Sequence, residues 1–364
     1  NWCQRCGGWR GELGLEPTPE MFVAHIVAVM REVWRVLRDD GTLWLNFGDS
    51  YASQGGPEPA QTKWQVDGAS STQNGGASRT PASSLKPKDL CGIPWRVAFA
   101  LQADGWWIRN DIIWSKTNPM PESVTDRCTK AHEYVFLLSK SKRYFYDHEA
   151  VKEKSESNHT SGNLNHKSAT AWDSGDKFQR TKVGLIDLAD VEWTTRNRRT
   201  VWTISTKPYS GAHFAVFPPE LVTPPIRAGT SQRGVCPECG APWERVIESK
   251  SNYTDREVAR SPNSEPSKVD STGWRPPTID FRGWQPTCSC NAGDPIPATV
   301  LDPFCGSGTT GEVCRTLPHP RAFVGLDLSP TYLRDLALVR AENRQTQESI
   351  EALPLFEPVH SEPR

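Results

Sequence analysis

The chain has no excess charge of either sign and no long apolar run. Its 42 Lys and Arg are balanced by 43 Asp and Glu, a formal net charge of −1. No global field therefore draws it to nucleic acid, and any such contact must come from local basic patches. Apolar residues make up only 36% of 364, and mean hydropathy is −0.58. That is low for one α/β domain of this length and predicts long polar loops. No apolar stretch approaches the roughly 20 residues of a membrane span, and no signal peptide is visible, so the chain reads as soluble and intracellular, with no membrane partner. Ten cysteines, several in C-x-C or C-x-x-C pairs, suit metal binding in a reducing compartment better than a disulfide framework. The dinucleotide pattern G-x-G-x-x-G and the phosphate loop G-x-x-x-x-G-K-[ST] are both missing, which removes the two commonest nucleotide sites.

What is present centres on Thr299-Val-Leu-Asp-Pro-Phe-Cys-Gly-Ser-Gly-Thr-Thr310. It reads as a short buried strand (Val300, Leu301) ending on Asp302. A glycine turn, Gly306-Ser307-Gly308, follows, then a helix from about Thr309. Glycines let the backbone pass close to a ligand, and a helix N-terminus offers unpaired N–H groups. A second apolar run, Ala322-Phe-Val-Gly-Leu326, ends on Asp327, and Ser329-Pro330 opens another helix. A glycine turn after one strand and a carboxylate after the next is how doubly wound folds hold a nucleoside, the acid on the ribose hydroxyls. Asp302 in the turn would repel a pyrophosphate but suits an ammonium. A nucleoside with a cationic amino-acid tail, S-adenosylmethionine, fits best. The plainer alternative is a βα turn whose glycines serve packing alone.

Earlier in the chain, Thr18-Pro19-Glu20 marks a helix start. Phe22, Ile26, Met30, Val33 and Leu37 form one buried stripe on that helix. Thr42–Phe47 reads as a strand buried on both faces, with Asp49 at its carboxyl end, open between a cofactor role and a structural one. Residues 52–85 are a polar loop. A helix is predicted from Pro94 to about Ala103, and strands at Trp106–Ser115 and Glu133–Ser139. Arg143–Asp147 is expected to pair with the last of these, beside which His132 makes structural hydrogen bonds. Residues 152–195 turn polar again. Val201–Ile204 is a short strand, and a helix runs from Pro218 toward Arg227.

Asp302-Pro303-Phe304-Cys305-Gly306-Ser307-Gly308-Thr309-Thr310 resembles the cofactor motif of the DNA amino-methyltransferases that modify cytosine N4 or adenine N6. Leu15-Glu-Pro-Thr-Pro19, Asn46-Phe-Gly-Asp-Ser50 and Asn118-Pro-Met-Pro-Glu-Ser123 are similar to phage and prophage methylases of this group. The resemblance implies the permuted order, with the target-handling half ahead of the cofactor half. It also implies a cofactor pocket lined by Phe217, Asp302, Pro303, Phe304, Gly306, Ser307, Gly308 and Asp327. The family's catalytic loop, [Asp/Asn/Ser]-Pro-Pro-aromatic, is absent from the chain. That loop accepts the hydrogens of a poorly nucleophilic exocyclic amine and stacks on the flipped base. The chain begins at Asn1, and in this order the loop would precede it. The chain is therefore expected to be a fragment, and no catalytic residue is named.

Cys236-Pro-Glu-Cys239-Gly and Cys288-Ser-Cys290 have the count for a closed tetrahedral zinc site. Forty-eight residues separate Cys239 from Cys288, and unligated reduced thiols are the alternative. Cys3-x-x-Cys6 has no partner pair nearby. Cys305 and Cys314 read as packing residues. The basic run Arg196–Arg199, with Arg180 and Lys182, is either a phosphate contact or a solvated loop.

The expected architecture is an α/β, doubly wound, Rossmann-like methyltransferase fold with an incomplete sheet and a small zinc-ribbon insertion. Its parts are a target-side half (1–150), a polar insertion (151–200), a cofactor-closing segment (201–232), the zinc ribbon (233–293), a cofactor-binding half (294–348) and a tail (349–364). The expected function is methyl transfer from S-adenosylmethionine to cytosine N4, or adenine N6, in double-stranded DNA. The setting is the cytoplasm of a prokaryote or phage-infected cell, and a restriction endonuclease partner is left open by the sequence. A non-catalytic nucleic-acid-binding module on a decayed fold, or an RNA or small-molecule methyltransferase, stays open.

Overall fold

A computed structural model describes residues 9–52, 85–155, 195–207, 216–250 and 278–342, with positions 3 and 5. Most of the two polar loops, the tail, His213, Cys6, Arg180 and Lys182 lie outside the described residues. The chain divides into two compact units. Asn1–Asp147, Arg199–Gly234 and Ile296–Arg364 form the first; His148–Arg198 and Val235–Pro295 form the second.

In the first unit, helix α1 (Pro19–Val36) starts where the sequence predicts. The Thr18 hydroxyl accepts the Met21 N–H at 3.2 Å, and Pro19 occupies the first turn, where its missing N–H costs nothing. Ile26, Met30 and Val33 on one face are buried against Val97, Ala98 and Leu101 of α2 (Ile93–Ala103) and against Trp106, Phe136 and Leu138.

Strands β1 (Thr42–Phe47), β2 (Trp107–Ser115), β3 (His132–Ser139) and β6 (Val201–Thr203) form one sheet in the order β1-β3-β2-β6. The first three run antiparallel, and β6 joins β2 in parallel. The central strand is β3, and Val135 to Leu138 are all at most 4% exposed, as two covered faces require. The expectation that β1 is buried on both faces is corrected. It lies at the edge of this four-stranded sheet, where only Leu45 is fully buried and Asn46 is exposed. Arg143–Asp147 does not pair with β3 either. Its backbone is claimed elsewhere, Phe145 N–H by the Asp40 carbonyl (2.8 Å) and Asp147 N–H by that of Ala228 (2.9 Å).

A second sheet holds β9 (Thr299–Asp302) and β10 (Ala322–Gly325), parallel and in register from Thr299↔Ala322 to Asp302↔Gly325. Between them in sequence comes α4 (Thr309–Thr316), so β9-α4-β10 is a βαβ unit. Helix α3 (Pro219–Gly229) ties the two sheets together. Its Leu221 packs with Ile112, Trp114, Val135 and Trp202, while Val222 and Ile226 pack with Val300, Val313, Cys314 and Phe323. The described strands of this unit are thus an α/β arrangement in two sheets rather than one, with parallel pairing confined to β9–β10 and β2–β6.

The second unit contains the short pair β4 (Glu153–Lys154) and β5 (Thr195–Arg196), and the longer antiparallel pair β7 (Trp243–Lys250) and β8 (Thr278–Pro286).

Candidate cofactor site and cysteine centre

The carboxyl ends of β9 and β10 lie side by side, where α/β sheets place their ligands. Asp302 is the last residue of β9. Its Oδ1 accepts the Phe304 N–H at 3.0 Å and its Oδ2 the Thr310 hydroxyl at 2.6 Å. Asp327 lies two residues past β10 and reaches across to the neighbouring turn. Its Oδ2 accepts the Gly306 N–H at 3.0 Å, and its Oδ1 the Ser329 N–H at 2.8 Å. Backbone bonds from Leu326 N–H to the Asp302 carbonyl and from Cys305 N–H to the Leu326 carbonyl, both 2.9 Å, lace the two strand ends together. Each carboxylate has about four lone-pair sites, so both keep acceptor capacity beyond these bonds.

Electrostatics agree with a shared site. Burial, foremost, pushes the Asp302 carboxyl above its ordinary range, and the nearby Asp327 charge adds to this, against the hydrogen bonds from Thr310 and Phe304. Burial raises the Cys305 thiol to about 11, and both carboxylates push it in the same direction. Cys314, in the core, is raised by burial to about 12. Both thiols are therefore inert packing residues at neutral pH.

The turn itself demands glycine. Gly306 and Gly308 have φ of +48° and +80°. A Cβ on Gly308 would sit 2.7 Å from the Ala337 Cα and 2.9 Å from its carbonyl oxygen. Ala337 ends a π-helical segment, Tyr332–Ala337, that continues into α5 (Leu338–Glu342). From α5, Arg340 donates to the Ser307 hydroxyl (3.1 Å) and the Thr309 hydroxyl (2.8 Å), and pairs with Glu312. Arg340 thus holds the glycine turn from behind. Sequence reasoning missed it, because no local pattern links position 340 to a turn over thirty residues away.

The remaining sequence candidates fall into place differently. Phe304 stands 48% exposed beside the turn. Phe217, just ahead of α3, packs in the cluster of Trp114, Trp202 and Leu221. Asp49 is 5% exposed and is occupied structurally. Its Oδ1 accepts the N–H groups of Ser50 and Ile93, both at 3.0 Å, the latter in the first turn of α2, and Lys130 lies 3.8 Å from its Oδ2. His132 stacks edge-on against Tyr134 at 5.3 Å. Arg196 is engaged by Glu153 at 2.8 Å. An open hollow of about 450 Å³ lies at the opposite end of β1, lined by Arg35, Leu37, Arg38, Asp39, Asp40 and Lys140. It presents charged side chains that already pair with one another, such as Arg38 with Asp40 at 2.8 Å.

In the second unit, the ligand atoms of Cys236, Cys239, Cys288 and Cys290 all lie within 4.8 Å of one another. Cys236 opens a tight knuckle. Its carbonyl accepts the Gly240 N–H and its own N–H donates to the Ala241 carbonyl, both at 2.8 Å. Backbone N–H groups of Cys239 and Glu238 face its sulfur and, with neighbouring thiols, lower its pKa to about 7. Four sulfurs around an ion at about 2.3 Å would stand about 3.8 Å apart, so a contraction of at most about 1 Å would close the cluster on zinc.

A family described as DNA methylase matches residues 10–236 and 288–338. The type II methyltransferase M.Cfr9I of Citrobacter freundii is 36% identical over 345 residues, 95% of this chain and 79% of that protein. M.SmaI of Serratia marcescens is 35% identical over 332 residues, 91% of this chain and 78% of that protein. Among solved structures, the PvuII DNA methyltransferase (cytosine-N4-specific) covers 92% of this chain and 75% of its own, at 15% identity and a TM-score of 0.46. With more than two thirds of the chain inside the family match and a 36% identical relative matched over 95% of this chain, the chain belongs to the DNA methylase family, the amino-methyltransferases of DNA.

Proposed function

We propose that the chain takes part in methyl transfer from S-adenosylmethionine to an exocyclic amine in duplex DNA, cytosine N4 in preference to adenine N6. The observation that carries this is the gathering of Asp302, the glycine turn and Asp327 at two adjacent strand ends, in a chain of the DNA methylase family. The donor set suits the cofactor. Asp302 offers a carboxylate to an ammonium group, and Asp327 has a free acceptor site for ribose hydroxyls. The left-handed Gly306 and Gly308 let the backbone lie close to the ligand, and Phe304 supplies an apolar wall. Bound there, the cofactor supplies an electrophilic methyl group on sulfur. The preference for cytosine N4 rests on the likeness of Leu15–Pro19, Asn46–Ser50 and Asn118–Ser123 to phage and prophage methylases. The type II names of the relatives support modification of a defined sequence beside a cognate endonuclease. A structural zinc held by Cys236, Cys239, Cys288 and Cys290 belongs to the same proposal.

The test is tritium transfer from labelled S-adenosylmethionine to duplex DNA, RNA and small amines, with mass spectrometry of the product nucleosides. It is run on the protein expressed from its full reading frame. N4-methylcytosine in duplex DNA is the expected product. N6-methyladenine would overturn the base preference, and label entering only RNA or small amines would overturn the substrate class.

A further inference from the structure

Resting on the zinc reading of the four cysteines, we propose that the metal is the clasp that folds the insertion between them, and that cofactor binding does not need it. Three observations carry this. First, the family match stops at Cys236 and resumes at Cys288. The segment outside the common family sequence therefore begins and ends at two of the four thiols. Second, β7 and β8 pair only with each other among the described residues, and an isolated two-stranded antiparallel pair is marginal in water. Third, among the described residues the insertion contributes to none of the buried hydrophobic clusters. Among the described residues from 237 to 287 Pro242 is the one buried apolar side chain, and Phe281 is 53% exposed.

What the strands do offer is surface contact. Arg245 lies 4.5 Å over the Trp284 ring and 5.7 Å from that of Phe281, and Arg282 pairs with Glu248. Exposed ion pairs and cation–ring contacts of this kind are individually weak. They cannot offset the entropy of closing a loop with 48 residues between Cys239 and Cys288. A structural zinc site supplies folding free energy outright, because the site does not exist in the unfolded chain. The Cys236–Cys239 knuckle leads into β7 and the Cys288–Cys290 pair follows β8, so the ion closes the base of the ribbon from both strands. The cofactor residues Asp302 and Asp327 belong to the other unit, which has its own buried clusters. Its folding does not draw on the metal.

The experiment uses the full chain, purified under reducing conditions and analysed for zinc. The zinc is then displaced by a mercurial titrant in the presence of chelator, and the thiols are restored with reductant. Backbone amide exchange is followed at 243–250 and 278–286, with α1 and β3 as internal references, and S-adenosylmethionine binding is measured by calorimetry. The expected result is one zinc per chain. On its loss, exchange in β7 and β8 should rise at least tenfold, exchange in α1 and β3 should not change, and cofactor affinity should stay within twofold. Substituting Cys288→Ser and Cys290→Ser together should give the same pattern without the mercurial; Cys128→Ser, an exposed thiol outside the cluster, should not. Zinc that can be removed with no change in β7 and β8 exchange would overturn the clasp while leaving the zinc site standing. Loss of cofactor binding along with the metal would overturn the independence of the two units. A chain purified with reduced thiols and no zinc would overturn the metal site itself and the clasp with it.

Discussion

Replacing each glycine of the cofactor turn by alanine separates two costs that the structure places at neighbouring positions. At Gly306, φ is +48° and the nearest atom to a new Cβ is the Phe304 carbonyl oxygen at 4.0 Å. Gly306→Ala therefore meets only the left-handed backbone penalty, about 1–2 kcal/mol. At Gly308, φ is +80° and the same penalty applies, but a Cβ would also lie 2.7 Å from the Ala337 Cα and 2.9 Å from its carbonyl oxygen. Those are backbone atoms of a helical segment and cannot rotate away, so the segment must shift by about 1 Å to restore ordinary contact distances, an overpacking cost of about 1–3 kcal/mol. Gly308→Ala should thus be about 1–3 kcal/mol less stable than Gly306→Ala. The assay is urea unfolding followed by circular dichroism, comparing midpoints at constant slope. The Gly306 N–H that Asp327 accepts survives in Gly306→Ala, so this variant should also keep most of its cofactor affinity. Equal midpoints for the two variants would refute the claim that the helix after Asp327 clamps the turn.

Asp302→Asn should separate stability from binding. Burial raises the Asp302 pKa, so its protonated form is favoured in the folded state. Stability that is present below its ordinary value of 3.8 is lost as pH rises through the raised value. At pH 7 the neutral amide removes that cost while keeping an acceptor for the Phe304 N–H. The apo variant should therefore melt no lower than wild type yet bind S-adenosylmethionine more weakly. A lower urea midpoint at pH 7 would contradict this. Arg340→Ala leaves Glu312 and the Ser307 and Thr309 hydroxyls short of a donor, and should cost about 1–3 kcal/mol in unfolding free energy. An unchanged midpoint would show that Arg340 does not hold the turn. Thr18→Ala removes the cap on α1 and should cost about 1 kcal/mol, measured the same way; a neutral change would mean that the cap is replaced by solvent.

Much of the cofactor segment was legible because its signals are local. An apolar run of strand length, a carboxylate, two glycines and a helix start occupy a dozen consecutive residues, and β9, the turn and α4 follow that order in the structure. The start of α1 was equally plain, since Thr18, Pro19 and Glu20 act within one helical turn. That Cys236, Cys239, Cys288 and Cys290 come together was readable despite the wide gap, because two short-spaced thiol pairs have the count for one tetrahedral site. What the sequence hid was tertiary. The apolar run of β1 resembles that of a buried central strand, but its place at the edge of its sheet depends on pairing with β3, ninety residues on. Asp49, at a strand's end, was open between a pocket role and a structural one, because only the fold brings the Ile93 N–H of α2 to its carboxylate. Arg143–Asp147 has strand-like composition, but its N–H groups bond to Asp40 and Ala228, which no local pattern announces.

The central claim is that Asp302 and Asp327 grip one nucleoside cofactor, and calorimetric titration of S-adenosylmethionine into the wild-type chain and Asp327→Ala tests it most directly. One site per chain is expected, with the variant binding about 1–3 kcal/mol more weakly through loss of charge-assisted hydrogen bonds. Identical affinities in the two proteins, or no binding by the wild-type chain, would contradict the assignment.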